Sequence, residues 1–459
     1  MDGIASAGAT HRDGTASARA VHTNRTSRSL LLLWLLTAGT SPPAAQPIDR
    51  EPAPEPYLLA DRPIRIDPGG TGERSLTEVV AWAAMQESAV HLQLRPGDYH
   101  LSPSDYVDPT CGNCEDPDRP VPATLGLRIR GARVHLLGLG EDPSQVRIHT
   151  HAGYGLLFED CADCRLEGVT ITGGVRDTSG RATDAAVVVR RSRVTIHDCH
   201  IAENLGDSAT VAQTVVGIMG ICGRDGARIT VTDCEIRRNS WDGVALFRDA
   251  SARIANCVID GGDRGAGGAS CGGRGVGIGV TWNARAEIVG NLVARYWKGI
   301  GIFVDAEARV LENVIEEMRT WGIAFWDADR GHPYAEIAWN AIHRTGACGI
   351  SVTRGLPGGR LDSRIAHNAI VRSGQDARYD PDDRYCLQEA LAVHARHPEM
   401  TIAENLCFQN REAGDQTGQS DLTHDAFVRA VQPLIERLGA RAATRQSAFR
   451  QEFAPRAPR

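Results

Sequence analysis

Between Ala227 and Val352 one short phrase recurs: ARITVTDCEIRRNSWDGVALF (Ala227–Phe247), SARIANCVID (Ser251–Asp260), ARAEIVGNLVARYWKGIGIFV (Ala284–Val304), EARVLENVIEEMRTWGIAFW (Glu307–Trp326) and YAEIAWNAIHRTGACGISV (Tyr334–Val352). Each copy has two alternating apolar positions, a Cys or Asn, two more apolar positions, a polar stretch, and then Gly-[Val/Ile]-x-apolar. Alternation with period two marks strands, and polar punctuation every few residues marks turns. A unit made only of strands and repeated along the chain cannot bury its apolar face alone. It must stack on its neighbours as a β-solenoid.

The residue at the equivalent turn runs Val169, Cys199, Cys234, Cys257, Asn291, Asn313, Asn340, Asn368, Asn405, with gaps of 30, 35, 23, 34, 22, 27, 28 and 37. The shortest gaps are full coils, and the surplus is loop: Gly173–Thr183, Glu203–Thr214, Gly261–Arg274 and Ser373–Gln388. All four insertions precede the Gly strand, so they gather on one side of the solenoid, where a functional face would be built. Asn amides stacked at this turn can bond from coil to coil. The Cys side chains should stay buried thiols, because side chains stacked at strand spacing place their Cβ atoms too far apart for a disulfide.

The rest of the chain frames this region. Residues 1–45 read as a secretory signal peptide with a long n-region: Arg25 and Arg28, the apolar run Leu30–Leu36, then small residues and Pro to Ala45. The run is too short to span a bilayer, and no Cys follows it to carry a lipid. A secreted or periplasmic protein is expected. Residues 46–74 form a Pro-rich lead-in, 75–410 the solenoid, and 411–459 a helical cap or tail. Ser75-Leu-Thr-Glu78 is a capping box opening a short helix over Val79–Met85, placed to cover the first coil's open edge. Leu422–Phe453 carries Phe427, Val428, Val431, Leu434, Ile435 and Leu438 on one helical face. The formal net charge of −7 argues against nucleic acid as a partner. Cys111/Cys114 and Cys161/Cys164 have spacing suited to zinc or to disulfides, and Cys348 with Cys386 is a further disulfide candidate.

The pattern I-x-x-N-x-I…G-I-x-[LFV], the leading helix and the turn Leu94-Arg-Pro-Gly-Asp-Tyr99 together resemble the right-handed parallel β-helix repeat of the pectin-lyase-like superfamily. The resemblance spans Ser75–Asn410. It implies an all-β right-handed solenoid of about 10 coils with helical ends. That superfamily holds polysaccharide lyases, glycoside hydrolases, uronan epimerases and non-catalytic proteins, so fold alone does not choose among them. The Asp-Pro-His motif of mannuronan epimerases is absent, Asp380-Pro-Asp-Asp383 being the nearest string. The calcium-ligand motif of the lyases does not appear either, so no cofactor is predicted, with Ca2+ left open as the one alternative.

Aligning the Gly strands places Ala245, Gly279, Gly301, Ala324 and Ser351 outward as a small-residue floor, beside a rim of Phe247, Thr281, Phe303, Trp326 and Thr353. A flat floor with aromatic edges suits a polysaccharide whose rings stack on those faces. Trp241, Trp297 and Trp321 on the strand's other side extend the binding surface. Asp249, Asp305 and Asp327 lie in the turns just beyond the strands, at separations expected to bracket those of glycosidase acid/base pairs. The same residues are also common in turns for their side-chain to backbone bonds. Lys298 is the sole lysine of the chain, and Arg319 follows it by nearly one coil. Such a basic pair could abstract a proton and neutralise charge beside a uronate carboxylate, as in some β-helix lyases. Alternatively, Asp242 and Glu316 or Glu317 simply pair with these cations. The reading is therefore of a monomer that cleaves a glycan as lyase or hydrolase. The alternative is a non-catalytic protein for glycan binding or the cell envelope.

Overall fold

The computed structural model describes residues 63–69, 75–131, 133–263, 265, 268–374, 376 and 388–411. The segments expected to be a signal peptide and a C-terminal helix (Leu422–Phe453), most of the lead-in, Asp380–Asp383 and Cys386 lie outside the described residues.

Three long sheets run the length of the solenoid. The first has twelve strands, from Ile64–Ile66 to Thr401–Ala403. The second has eleven, from Gly97–His100 to Leu406–Phe408, and the third eleven, from Ser104–Asp108 to Leu391–Arg396. Each coil contributes one strand to each sheet, and neighbours pair in parallel. The exception is Ser104–Asp108, which runs antiparallel to Val121–Arg130.

Register follows the apolar alternation. In the first sheet Ile254, Ile288, Val310 and Ile337 align. In the second, Ile259, Val293, Ile315 and Ile342 align, and in the third, Ile278, Ile300, Ile323 and Ile350. All of these are inaccessible to solvent and form the interior. A slip of one residue would turn every one of them outward, which is why the register is so strongly specified.

The expected amide ladder forms at the turn between first and second sheets. Asn291 Nδ2 donates to Asn313 Oδ1 (3.0 Å), Asn313 to Asn340 (3.0 Å), Asn340 to Asn368 (2.9 Å) and Asn368 to Asn405 (2.9 Å). Entering this turn requires a left-handed residue: Asn256, Glu312, Trp339, His367 and Glu404 all have φ between 55° and 59°. A side chain there costs roughly 1–2 kcal/mol, which the ladder bonds offset. Upstream, Cys199, Cys234 and Cys257 take the same place as buried thiols, each donating to a carbonyl two residues back (3.3 Å).

Cys111 and Cys114 form a disulfide, whereas Cys161 and Cys164 are buried thiols, Cys161 Sγ donating to Ile129 O at 3.2 Å. The capping box forms as expected: Glu78 N donates to Ser75 Oγ (3.3 Å) and Ser75 N to Glu78 Oε2 (2.7 Å). The helix it opens spans Leu76–Ala83, and Leu76, Val79, Val80 and Ala83 pack into the interior cluster at its first coil. A second helix, Ser208–Thr214, capped by Asp207, lies within an insertion that sequence had marked only as loop.

Candidate functional site

The outer face of the third sheet carries the small-residue floor. Ala245, Gly279, Gly301, Ala324, Ser351 and Ala392 follow one another in register. Phe303, Trp326 and Thr353 align beside it.

Upstream, this face is covered. Asp108, at the end of the antiparallel strand, bonds Arg190 Nη1 (3.0 Å), the guanidinium of Arg224 and the Tyr154 hydroxyl (2.7 Å). Asp225 adds Arg190 Nε (3.1 Å) and Arg224 Nη1 (2.9 Å). Asp108, Arg190 and Arg224 are wholly buried. Buried charges persist where they pair with one another; apart from Arg224 Nε, which has no hydrogen-bond partner among the described residues, these groups do so, and the network ties the disulfide-bearing loop to the sheet. Further along, Trp282 Nε1 donates to Asn113 Oδ1 (3.0 Å) and Arg330 pairs with Glu115. The cover corrects one expectation: Phe247 and Trp241 are buried in an apolar cluster with Cys111, Val188 and Met219. They anchor the cover and offer no free ring face.

Downstream, the face stays more open. Trp297, Phe303 and Trp326 are half-buried. The Phe303 ring lies across Gly301, where a Cβ would come within 2.3 Å of Cε2, so any larger residue there would push the ring off the floor. Phe303 and Trp326 have centroids 5.5 Å apart, Trp321 meets Trp326 edge-on at 4.9 Å, and Trp326 Nε1 donates to Ser351 Oγ (2.9 Å).

Lys298 stands at the head of this aromatic group. Its Nζ lies 5.2 Å from the Trp321 ring centroid and 5.9 Å from that of Trp326, and the residue is 2% exposed. Two coils earlier in the same column sits Asp242, with Val276 between them. Asp242 Oδ1 accepts from Val276 N at 2.6 Å. Burial pushes its carboxyl up to about 7, against the opposing pull of that N–H and of the Lys298 charge.

The coil here is 23 residues, as in the pairing of Ile300 with Ile323, so the neighbour of Lys298 is Trp321. Arg319 therefore falls opposite Tyr296, and the expected Lys298–Arg319 pair does not occupy one column. The Arg319 guanidinium instead stacks on Trp297 (4.5 Å) and donates to Gly265 O (2.6 Å).

Two of the three turn aspartates bond to the backbone. Asp305 Oδ1 accepts from His332 N (2.8 Å). Asp327 is buried and accepts from Asp329 N (3.2 Å), Gly355 N (2.9 Å) and Leu356 N (3.2 Å). Asp249 is exposed, in a left-handed turn beside Arg248. The sequence reading offered Asp242 only as a counter-charge; its one signal was a Trp-Asp pair directly before the Gly of the strand.

The family described as "Right handed beta helix region" matches residues 143–295 and 216–370. The protein is a right-handed parallel β-helix. No curated protein sequence matches this β-helix protein significantly. Among solved structures it is similar to the A-module of the Azotobacter vinelandii mannuronan C-5 epimerase AlgE4, with 12% identity, a TM-score of 0.43, and coverage of 75% of this chain and 95% of that one. It is also similar to the GH87 α-1,3-glucanase catalytic domain (10%, 0.39, 80% and 70%) and to the pectate lyase Pel9A (12%, 0.31, 65% and 79%). On this β-helix the Asp242–Lys298 column joins a carboxyl poised near neutrality to a caged ammonium, beside half-buried aromatic rings. Such a group can hold or release a proton and neutralise an anion.

Proposed function

We propose that this β-helix protein is exported and acts on a polysaccharide lying along the outer face of its third sheet, cleaving it as a lyase or a hydrolase. The observation that carries this reading is the chain's one lysine, buried beside Asp242 at the edge of a small-residue floor. Every other basic side chain apart from histidine is arginine. An ammonium kept at this place fits a compact point charge.

In the hydrolytic form, protonated Asp242 donates to the glycosidic oxygen. In the eliminative form Lys298 neutralises a uronate carboxylate and ionised Asp242 takes the adjacent proton. A second reading, a non-catalytic glycan binder, is favoured by Asp327, which is buried with its carboxylate bonded to three backbone N–H groups and so is not placed for a glycosidase role.

Incubation with uronic-acid and neutral glycans separates these readings. Absorbance from an unsaturated product marks the lyase, new reducing ends without it the hydrolase, and retention without cleavage the binder. If Lys298→Ala and Asp242→Asn leave an observed activity intact, the site is elsewhere.

A further inference from the structure

One column of outward residues crosses the third sheet from coil to coil: Leu157, Val188, Cys222, Ala245, Gly279 and Gly301 pair in register. Its upstream part is roofed. Leu157, Val188, Cys222 and Ala245 are inaccessible to solvent and share one apolar cluster with Trp241, Phe247 and the Cys111–Cys114 disulfide. Trp282 packs against that cluster, its Nε1 donating to Asn113 Oδ1 (3.0 Å). A chain lying on the sheet cannot continue past Ala245 without prising this cluster apart.

At Gly279 the column opens. Among the described residues, a Cβ built there would meet only Val276 Cβ at 3.9 Å and Asp242 Oδ2 at 4.0 Å. Asp242 is 7% exposed; its Oδ1 accepts from Val276 N, while Oδ2 accepts from none of the described residues and borders this space. One coil further the column is filled again, because the Phe303 ring occupies the place a Cβ of residue 301 would take. From Ala245 to Gly301 is two strand spacings, roughly 9.6 Å. That is room for one sugar ring, walled on its upstream side.

We infer, resting on the reading that the protein cleaves a polysaccharide, that the site takes a free chain end, with the terminal sugar over Gly279, and cuts from ends rather than within the chain. The first glycosidic bond then lies beside Asp242 Oδ2, and the second sugar meets the half-buried rings of Phe303 and Trp326. Hydrolysis there consumes one water per bond. Asp242 gives its proton to the leaving oxygen, the water's hydroxyl joins the anomeric carbon, and the water's other proton restores Asp242. Elimination consumes none: the proton taken from the carbon beside the carboxylate balances the one the leaving oxygen gains as its C–O bond breaks.

Polygalacturonate, alginate and an α-1,3-glucan serve as probes, followed by solution viscosity and by new ends, read as reducing groups or unsaturated product. On whichever is cut, one short product should accumulate while viscosity holds. Early loss of viscosity with a ladder of product sizes overturns the inference and leaves the polysaccharide-cleaving reading intact. No cleavage of any of the three overturns that reading, and the inference with it. Gly279→Ala and Gly279→Leu fill the seat by steps. The alanine Cβ makes only ordinary contacts, so that variant should keep the wild-type melting temperature and still lose activity. The leucine variant should lose about 10²-fold in kcat/KM. Undiminished activity in either folded variant also overturns the inference.

Discussion

Asp242 and Lys298 stand two coils apart in one column of the third sheet, with Val276 between them donating its N–H to the Asp242 carboxyl at 2.6 Å. A buried carboxyl near neutrality, an ammonium beside two tryptophan rings and a floor of small residues coincide only because two loop-bearing coils bring positions 242 and 298 together.

Substitution of this pair should separate its charge from its shape. Asp242→Asn keeps the volume and the bond from Val276 N but loses the proton, and general acid–base loss is typically ~10²–10⁴-fold in kcat. Lys298→Arg keeps the charge but places a planar fork between two indole rings, so activity should fall nearly as far as in Lys298→Ala. Steady-state turnover on the responding glycan reads both.

The pH profile should distinguish the two cleavage chemistries. Asp242 is protonated below about 7, so hydrolysis should hold its rate in acid and decline through that value. Elimination, which needs the ionised carboxylate, should rise through it. Asp242→Asn should erase the inflection in either case.

Folding stability should fall as pH rises from about 4 to 8. Asp242 and Glu316 both have folded values raised by burial, to about 7 and about 8, above their ordinary carboxylate values. Their contribution is complete below the unfolded value and is lost as pH climbs through the folded one. At about 1.4 kcal/mol per unit per group the total is several kcal/mol. Asp98, held at about 2 by hydrogen bonds from Arg147 and His149, acts in the opposite sense, and only in stronger acid. Denaturant unfolding at pH 5 and 8.5, repeated in Asp242→Asn, measures the slope.

Breaking the amide ladder should cost more than one ordinary hydrogen bond. Asn313 donates to Ile288 O, Leu311 O and Asn340 Oδ1, and accepts from the N–H and Nδ2 of Asn291, all within 3.0 Å. Asn313→Ala leaves several of these groups buried and unpaired, for an expected loss of ~3–5 kcal/mol in urea unfolding.

Asp108→Ala should release the cover on the third sheet. It removes the one fully buried carboxylate that Arg190 and Arg224 share, leaving them to Asp225 and, for Arg190, Glu159, for a loss of up to about 3–5 kcal/mol. Protease cleavage between Thr110 and Val121 is the readout, and Trp282 emission should change as Asn113 departs.

Much of this was legible in the repeats. The coil, the ladder, the thiols and the leading helix follow from period-two alternation and from one turn residue per coil, both local patterns. The floor was legible for the same reason: Gly279, Gly301, Ala324 and Ser351 align by counting. The counting failed at Arg319, because coils differ by one or two residues, and each such step moves a side chain to a new column. It also missed Asp242, whose perturbed carboxyl depends on what buries it.

The amino-acid sequence by itself determined the β-helix, since its inward residues and turn amides admit only one register. Tertiary structure alone decided which outward residues are site and which are cover. Phe247 and Trp241 went under a loop clamped more than a hundred residues away in sequence, and Asp242 met Lys298 across an intervening strand. Burial of outward positions depends on distant segments, and no local pattern encodes it.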